Sequence, residues 1–187
     1  GSRWARAEGG GGGVRFVPGV PDTPACTGAV APRLLEALAE RQPGRLFFTA
    51  HSLPERIIAA GDGYYDQLLE SCRLVAGKLD LPPWEFAFQS ASATGEPWLG
   101  PDLLAAIDRS GAKRVLVCPI GFVADHLEVL YDLDVEAQQF ARDHGLEIRR
   151  TASFNDRPGF IQALAAVVAD AMAEDTQAPE VTETPRR

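Results

Sequence analysis

Three carboxylates and two histidines in this sequence stand at spacings that chemistry can use. Glu128, Asp132 and Glu136 recur every four residues, just after Asp125 and His126, in the run VLVCPIGFVADHLEVLYDLDVE at residues 115–136. On a helix that spacing puts side chains on one face. Like charges placed so repel by roughly 0.2–0.5 kcal/mol per pair, and a cation alongside relieves the repulsion. His51 stands apart, directly after the apolar run RLFFT and one alanine. Imidazole with carboxylate is a donor set for borderline metals such as ferrous iron or zinc. The same pair serves proton transfer, because histidine titrates near neutral pH. Asp132 and Glu136 can pass ions or protons outward along the helix. Each feature also has a plainer reading: His51 as a hydrogen-bonded structural side chain, and the acidic run as a solvated helix face.

Other reactive side chains point elsewhere. Ser52 lacks a GxSxG setting and a second histidine as base, which argues against a serine hydrolase. Cys26, Cys72 and Cys118 are odd in number and form no CxxC, as expected of small buried or free thiols in a reducing compartment. Cys118 closes an apolar run ahead of a proline and reads as core packing. His144 precedes Gly145 at a predicted helix end, where partial negative charge favours a cation. Trp98, in a loop of glycine and proline, is either a wall for a flat apolar ligand or a core anchor.

These residues need a scaffold, and the apolar pattern supplies one. Strands are expected at residues 14–17, 45–49, Trp84–Gln89, Arg114–Cys118 and Glu147–Arg150, and helices at 29–41, 64–79, 102–109, 127–144 and 158–173. A polar loop is expected at 55–63. Strands alternating with helices imply right-handed crossovers and a parallel, doubly wound sheet. Ligands of such sheets bind outside the carboxyl ends of the strands. His51 follows one such end, and Asp125, His126 and Glu128 follow another. No GxGxxG follows a strand, so dinucleotide binding is not indicated. The expected organisation is a flexible segment over residues 1–13, which ends in five glycines, an α/β domain over 14–173, and a disordered tail rich in Glu, Thr and Pro over 174–187.

The 187 residues suffice for one domain with a good core, and 45% hydrophobic content suits it. A net charge of −8 with only two lysines argues against nucleic acid as a partner and for cations or a basic partner. No apolar run approaches a transmembrane segment and no secretory signal is visible, so a cytoplasmic protein is expected. The Gly-Ser start without Met reads as an appended start or a fragment.

Three stretches, taken in order, resemble the ferrochelatase family: Thr49-Ala50-His51-Ser52-Leu53-Pro54; Gln89-Ser90 followed by Pro97-Trp98-Leu99-Gly100-Pro101; and residues 118–136, CPIGFVADHLEVLYDLDVE. The likeness extends from about residue 14 to 168 and fits the coproporphyrin-using bacterial branch best. It implies a three-layer α/β sandwich with a Rossmann-like, chelatase-type sheet, and insertion of ferrous iron, as substrate metal, into a porphyrin late in haem synthesis. The family's catalytic histidine and glutamate fall on His51 and Glu128, its acidic ridge on Asp132 and Glu136, and its inner-site loop on Asp125 and His126. Ser52 and Trp98 are expected on the porphyrin side. Members have two similar halves, of which this chain resembles the C-terminal one. A separate N-terminal half or a second copy is therefore the expected partner. The alternative is a catalytically silent half-domain that binds metal or porphyrin. The sequence departs from the family at Ala91, where an arginine is usual, and across residues 92–96. Some relatives carry a [2Fe–2S] cluster on C-terminal cysteines; no cysteine follows Glu174, so none is expected here.

Overall fold

A computed structural model describes residues 4–6, 13–15 and 24–176, with side chains described from 28 to 173. Four parallel strands form its centre: β3 (Arg45–His51), β4 (Trp84–Gln89), β5 (Arg114–Cys118) and β6 (Glu147–Arg150), in the order β4-β3-β5-β6. The five middle residues of β3 are all buried, as a strand covered on both faces requires. Two three-residue strands, β1 (Trp4–Arg6) and β2 (Gly13–Arg15), pair antiparallel in a separate ribbon. The strand expected at 14–17 therefore begins in this ribbon and not in the parallel sheet. Residues 16 and 17 lie outside the described residues, as do 177–187 of the expected tail.

Helices cover both faces, giving three layers. On one side α1 (Pro24–Glu40), α3 (Tyr64–Ala76) and α7 (Pro158–Thr176) pack Leu34, Leu38, Cys72, Val75 and Phe160 against Leu46, Phe48, Phe88, Leu116 and Cys118. On the other, α4 (Leu103–Ser110) and the helical run at 127–144 pack Ala106, Ile107, Val129, Leu133 and Ala137 against Phe47, Val115, Val117 and Ile148. Asp102 caps α4, its carboxylate accepting from the Ala105 amide at 3.0 Å. The chain leaves β3 toward β4 and then crosses back to β5. The topological switch point thus lies between the carboxyl ends of β3 and β5.

Four local expectations are revised. β3 extends to His51, so the histidine is the last ladder residue and pairs with Gln89. The loop expected at 55–63 opens with a short helix, α2 (Glu55–Ala59). α7 runs through Thr176, three residues into the expected tail. The helix expected at 127–144 is not uniform: α5 (Leu127–Val129) leads into a π-helical segment, Leu130–Glu136, and then α6 (Ala137–His144), which ends at Gly145 in the left-handed conformation.

The reason for the π segment is visible in the core. Val129, Leu133, Ala137 and Ala141 are all buried, at a strict spacing of four. In an α-helix with 3.6 residues per turn, each such step drifts by about 40°, and three steps would turn the stripe away from the sheet by about 120°. Wider i→i+5 turns in the middle bring the average to about four residues per turn and keep the stripe on the core. The acidic residues at 128, 132 and 136 run parallel to that stripe, one residue earlier.

Candidate functional site

The Nδ1 of His51 hydrogen-bonds the carbonyl oxygen of Ser52. A carbonyl only accepts, so Nδ1 carries a hydrogen and is held away from Glu128, which leaves Nε2 to face that carboxylate. Nε2 stands 3.4 Å from Oε2 of Glu128. The two side chains are 30% and 50% exposed, so solutes can reach both. The backbone behind the histidine is fixed: the Tyr64 hydroxyl donates to the His51 carbonyl at 3.0 Å, and the Ser52 amide donates to Gln89 at 2.8 Å. Trp98 and Phe122 flank the imidazole with ring centres at 6.4 and 6.5 Å.

The loop after β5 reaches this position because Gly121 lets it. Its amide donates to the Thr49 carbonyl at 3.0 Å, and a Cβ at this glycine would run into the Cα and Cβ of Ala50. The loop thereby lies on the end of β3 and carries Phe122, Asp125 and His126 around the site. Asp125 is tied down from several sides: Ser153 donates to it at 2.6 Å, Asn155 at 3.1 Å, and Arg150 stands 3.2 Å away. These contacts, the Ser153 hydrogen bond first, hold its carboxyl below the ordinary aspartate range. Arg150 also forks onto both oxygens of Asp134 at 2.7 and 2.8 Å, joining the loop to the π segment. His126 is exposed, its ring 5.3 Å from Phe122.

The three ridge carboxylates meet different partners. Glu128 faces His51. Asp132 accepts from the Ser90 hydroxyl and from Nε2 of Gln89 at 3.3 Å, and Gln89 in turn accepts from Thr49 at 2.9 Å. Glu136 is exposed, and its carboxyl is pushed up, by desolvation first and then by the charges of Asp132 and Asp102. The ridge therefore runs as a row of negative charge from the end of β3 toward the N-terminus of α4. Among the described residues, no three His, Cys, Asp or Glu side chains come close enough to hold a metal ion together.

Of the residues singled out in the sequence, His51, Glu128 and Trp98 meet at the switch point and His126 reaches it through Phe122; Asp125 is held on the β6 side, Asp132 on the β4 side, and Glu136 continues the row. Ser52 is different. It is fully buried and its hydroxyl donates to the Leu99 carbonyl at 2.8 Å. It fastens the 98–101 loop to the end of β3 and does not face the cleft. The indole nitrogen of Trp98 donates to Thr94 in its own loop, and the half-buried ring flanks the histidine. Gln89, Ser90 and Arg150 also belong to the surroundings of the site, although the sequence does not mark them as site residues. Ser90 takes a positive φ of 62° without being glycine, a strained backbone of the kind that collects at functional sites. A signal for it existed: it directly follows a strand whose carboxyl end opens on the same edge as His51.

A family model described as ferrochelatase matches residues 2–172. The chain belongs to the ferrochelatase family. It is 47% identical over 147 residues to a ferrochelatase of Herpetosiphon aurantiacus, a match that covers 74% of this chain and 48% of that protein. It is 46% identical over 133 residues to a coproporphyrin III ferrochelatase of Geobacillus sp. strain WCH70, covering 69% of this chain and 43% of that one. The chain thus spans about half the length of the curated relatives it matches. Among solved structures, SirB from Bacillus subtilis with Fe3+ superposes at a TM-score of 0.61 over 85% of this chain and 58% of that one. At 12% identity this likeness concerns the fold alone, and it agrees with the three-layer chelatase-type sandwich of a ferrochelatase.

Proposed function

We propose that this ferrochelatase-family chain is the C-terminal half of an enzyme that inserts ferrous iron into a porphyrin, coproporphyrin III above others, in the cytoplasm. The observation that carries the proposal is Nε2 of His51 opposed to the Glu128 carboxylate at the switch point. Metallation needs a site that takes a cation from water, holds it loosely over the ring centre and accepts the two pyrrole N–H protons that the metal replaces. An imidazole lone pair and a carboxylate supply both services, and positioned proton acceptors contribute about 10²–10⁴-fold in rate. A two-donor site also releases its metal, as delivery requires and storage does not. Asp132 and Glu136 extend the negative charge outward, which raises the local concentration of cations at the entrance.

The surroundings suit a flat apolar ligand. Val123, Leu127, Leu130 and Tyr131 are exposed beside the site, and Leu127 is 80% exposed. Trp98 and Phe122 flank the histidine. The facing wall is assigned to a partner, either a separate N-terminal half or a second copy, because the chain spans only about half of its relatives' length.

A second reading has its own support. The same half-length, together with a site of only two facing donors, suits a catalytically silent module that binds porphyrin or metal without turnover. Anaerobic mixing of the chain with ferrous iron and coproporphyrin III, followed by porphyrin absorbance, separates the two. Metalloporphyrin formation above the uncatalysed rate, by the chain alone or with an N-terminal half supplied in trans, supports the enzyme. Saturable porphyrin binding without metallation under both conditions supports the silent module.

A further inference from the structure

We propose that the pocket between α1 and the N-terminus of α7 binds a small oxyanion, a phosphate or a carboxylate, through Arg33, Arg157 and the backbone of Gly159. The pocket has a volume of about 430 Å³ and is lined by Gly28, Arg33, Phe154, Arg157, Gly159 and Phe160, among others. It shares no residue with the His51–Glu128 site, so the proposal stands apart from the metallation reading.

Arg33 is the reason to look there. The residue is 3% exposed, and its guanidinium lies on the Phe154 ring, 3.5 Å from the centroid. Nη1 donates to the Ala152 carbonyl, while Nε and Nη2 are buried with no hydrogen-bond partner. Among the described residues, no carboxylate pairs with it. A buried cation with two unanswered N–H donors is costly, and folded proteins rarely leave such a group without an explanation. A bound anion answers that charge, since Arg33 lines the pocket.

The rest of the pocket offers the same chemistry. α7 is 19 residues long, so the partial positive charge of its N-terminus is developed. Pro158 has no amide hydrogen, and Gly159 is the first residue of the helix that can present one. A Cβ added at Gly159 would meet nothing within 4 Å, so a ligand can come close to its backbone. Arg157 stands at the rim, half-exposed, 3.1 Å from Glu36. Glu36 offsets part of the charge of both arginines, and Arg33 is the one without an ion-pair contact among the described residues. The loop that forms this wall also carries Ser153 and Asn155, which hold Asp125. An occupant therefore braces the strap under the neighbouring site.

The test is calorimetric titration of the whole chain at low ionic strength with inorganic phosphate in one arm and acetate in the other. Saturable one-site binding in either arm is expected, and the tighter arm identifies phosphate or carboxylate as the natural group. Arg157→Gln, a change at the surface, should weaken binding about tenfold, and Arg33→Met should abolish it, as loss of charge-assisted hydrogen bonds predicts. Circular dichroism confirms that each variant is folded; if Arg33→Met unfolds, Arg157→Gln decides. Titrations that fail to saturate in both arms overturn the proposal. So does an affinity unchanged in folded Arg157→Gln.

Discussion

Glu136 and Asp125 carry opposite pH signatures that follow from their neighbours. The Glu136 carboxyl is raised by desolvation and by two nearby carboxylates. The unfolded chain therefore gives up this proton first. The folded state is penalised once pH climbs above the ordinary carboxylate range near 4.3, and the penalty is complete above the folded value. Glu136→Gln should raise stability by roughly 0.2–0.5 kcal/mol at pH 7 and leave it unchanged below about pH 4. Urea denaturation at the two pH values checks both parts. Asp125 behaves in the reverse sense. Its lowered pKa stabilises the fold above the ordinary aspartate value, and that contribution is lost as pH falls through the folded one. Asp125→Asn should cost about 1 kcal/mol at pH 7, with the gap closing under acid. A gap of equal size at pH 7 and pH 3 would count against the charge-assisted account.

At the scale of elements, two features hold the site: the close approach at Gly121 and the π segment. Gly121→Ala forces a Cβ against Ala50, and neither backbone can yield without moving the loop or β3. A loss of about 1–3 kcal/mol is expected, read from chemical denaturation. A loss below about 0.5 kcal/mol would mean that the loop does not lie on β3 as described. The strands Trp84–Gln89, Arg114–Cys118 and Glu147–Arg150 were legible to the residue, because short apolar runs between breakers have few other uses. The end of β3 was not, since His51 is polar and only its pairing with Gln89 shows that the ladder continues. The acidic spacing of four fits an ordinary α-helix as well as a π segment and does not separate the two. The buried stripe at 129, 133, 137 and 141 held the distinction, in a drift that a core-facing stripe cannot tolerate over three steps. His51 and Glu128 could be brought together from the topology and the resemblance. The Asp132 contacts of Gln89 and Ser90, and the Arg150 bridge, join residues far apart in the chain with no shared local pattern. Only the folded backbone brings them into reach.

For the molecule as a whole, a row of negative charge beside an exposed apolar rim defines one working edge of a half-length chain. Leu127, the most exposed of the rim residues, projects from the same turn as Glu128. Leu127→Ser should weaken coproporphyrin III binding about tenfold through lost apolar contact. It should leave folding stability within about 0.5 kcal/mol, since the residue packs against little. Fluorescence titration and denaturation together separate this from a folding defect. His51 and Glu128 face each other on that edge. The most direct test measures anaerobic insertion of ferrous iron into coproporphyrin III by the chain, His51→Ala and Glu128→Ala side by side, each with the same N-terminal half supplied in trans. Insertion by the parent chain that falls by about 10²-fold or more in both variants, with porphyrin binding retained, is the predicted result. Insertion at the parent rate in either variant would contradict the account.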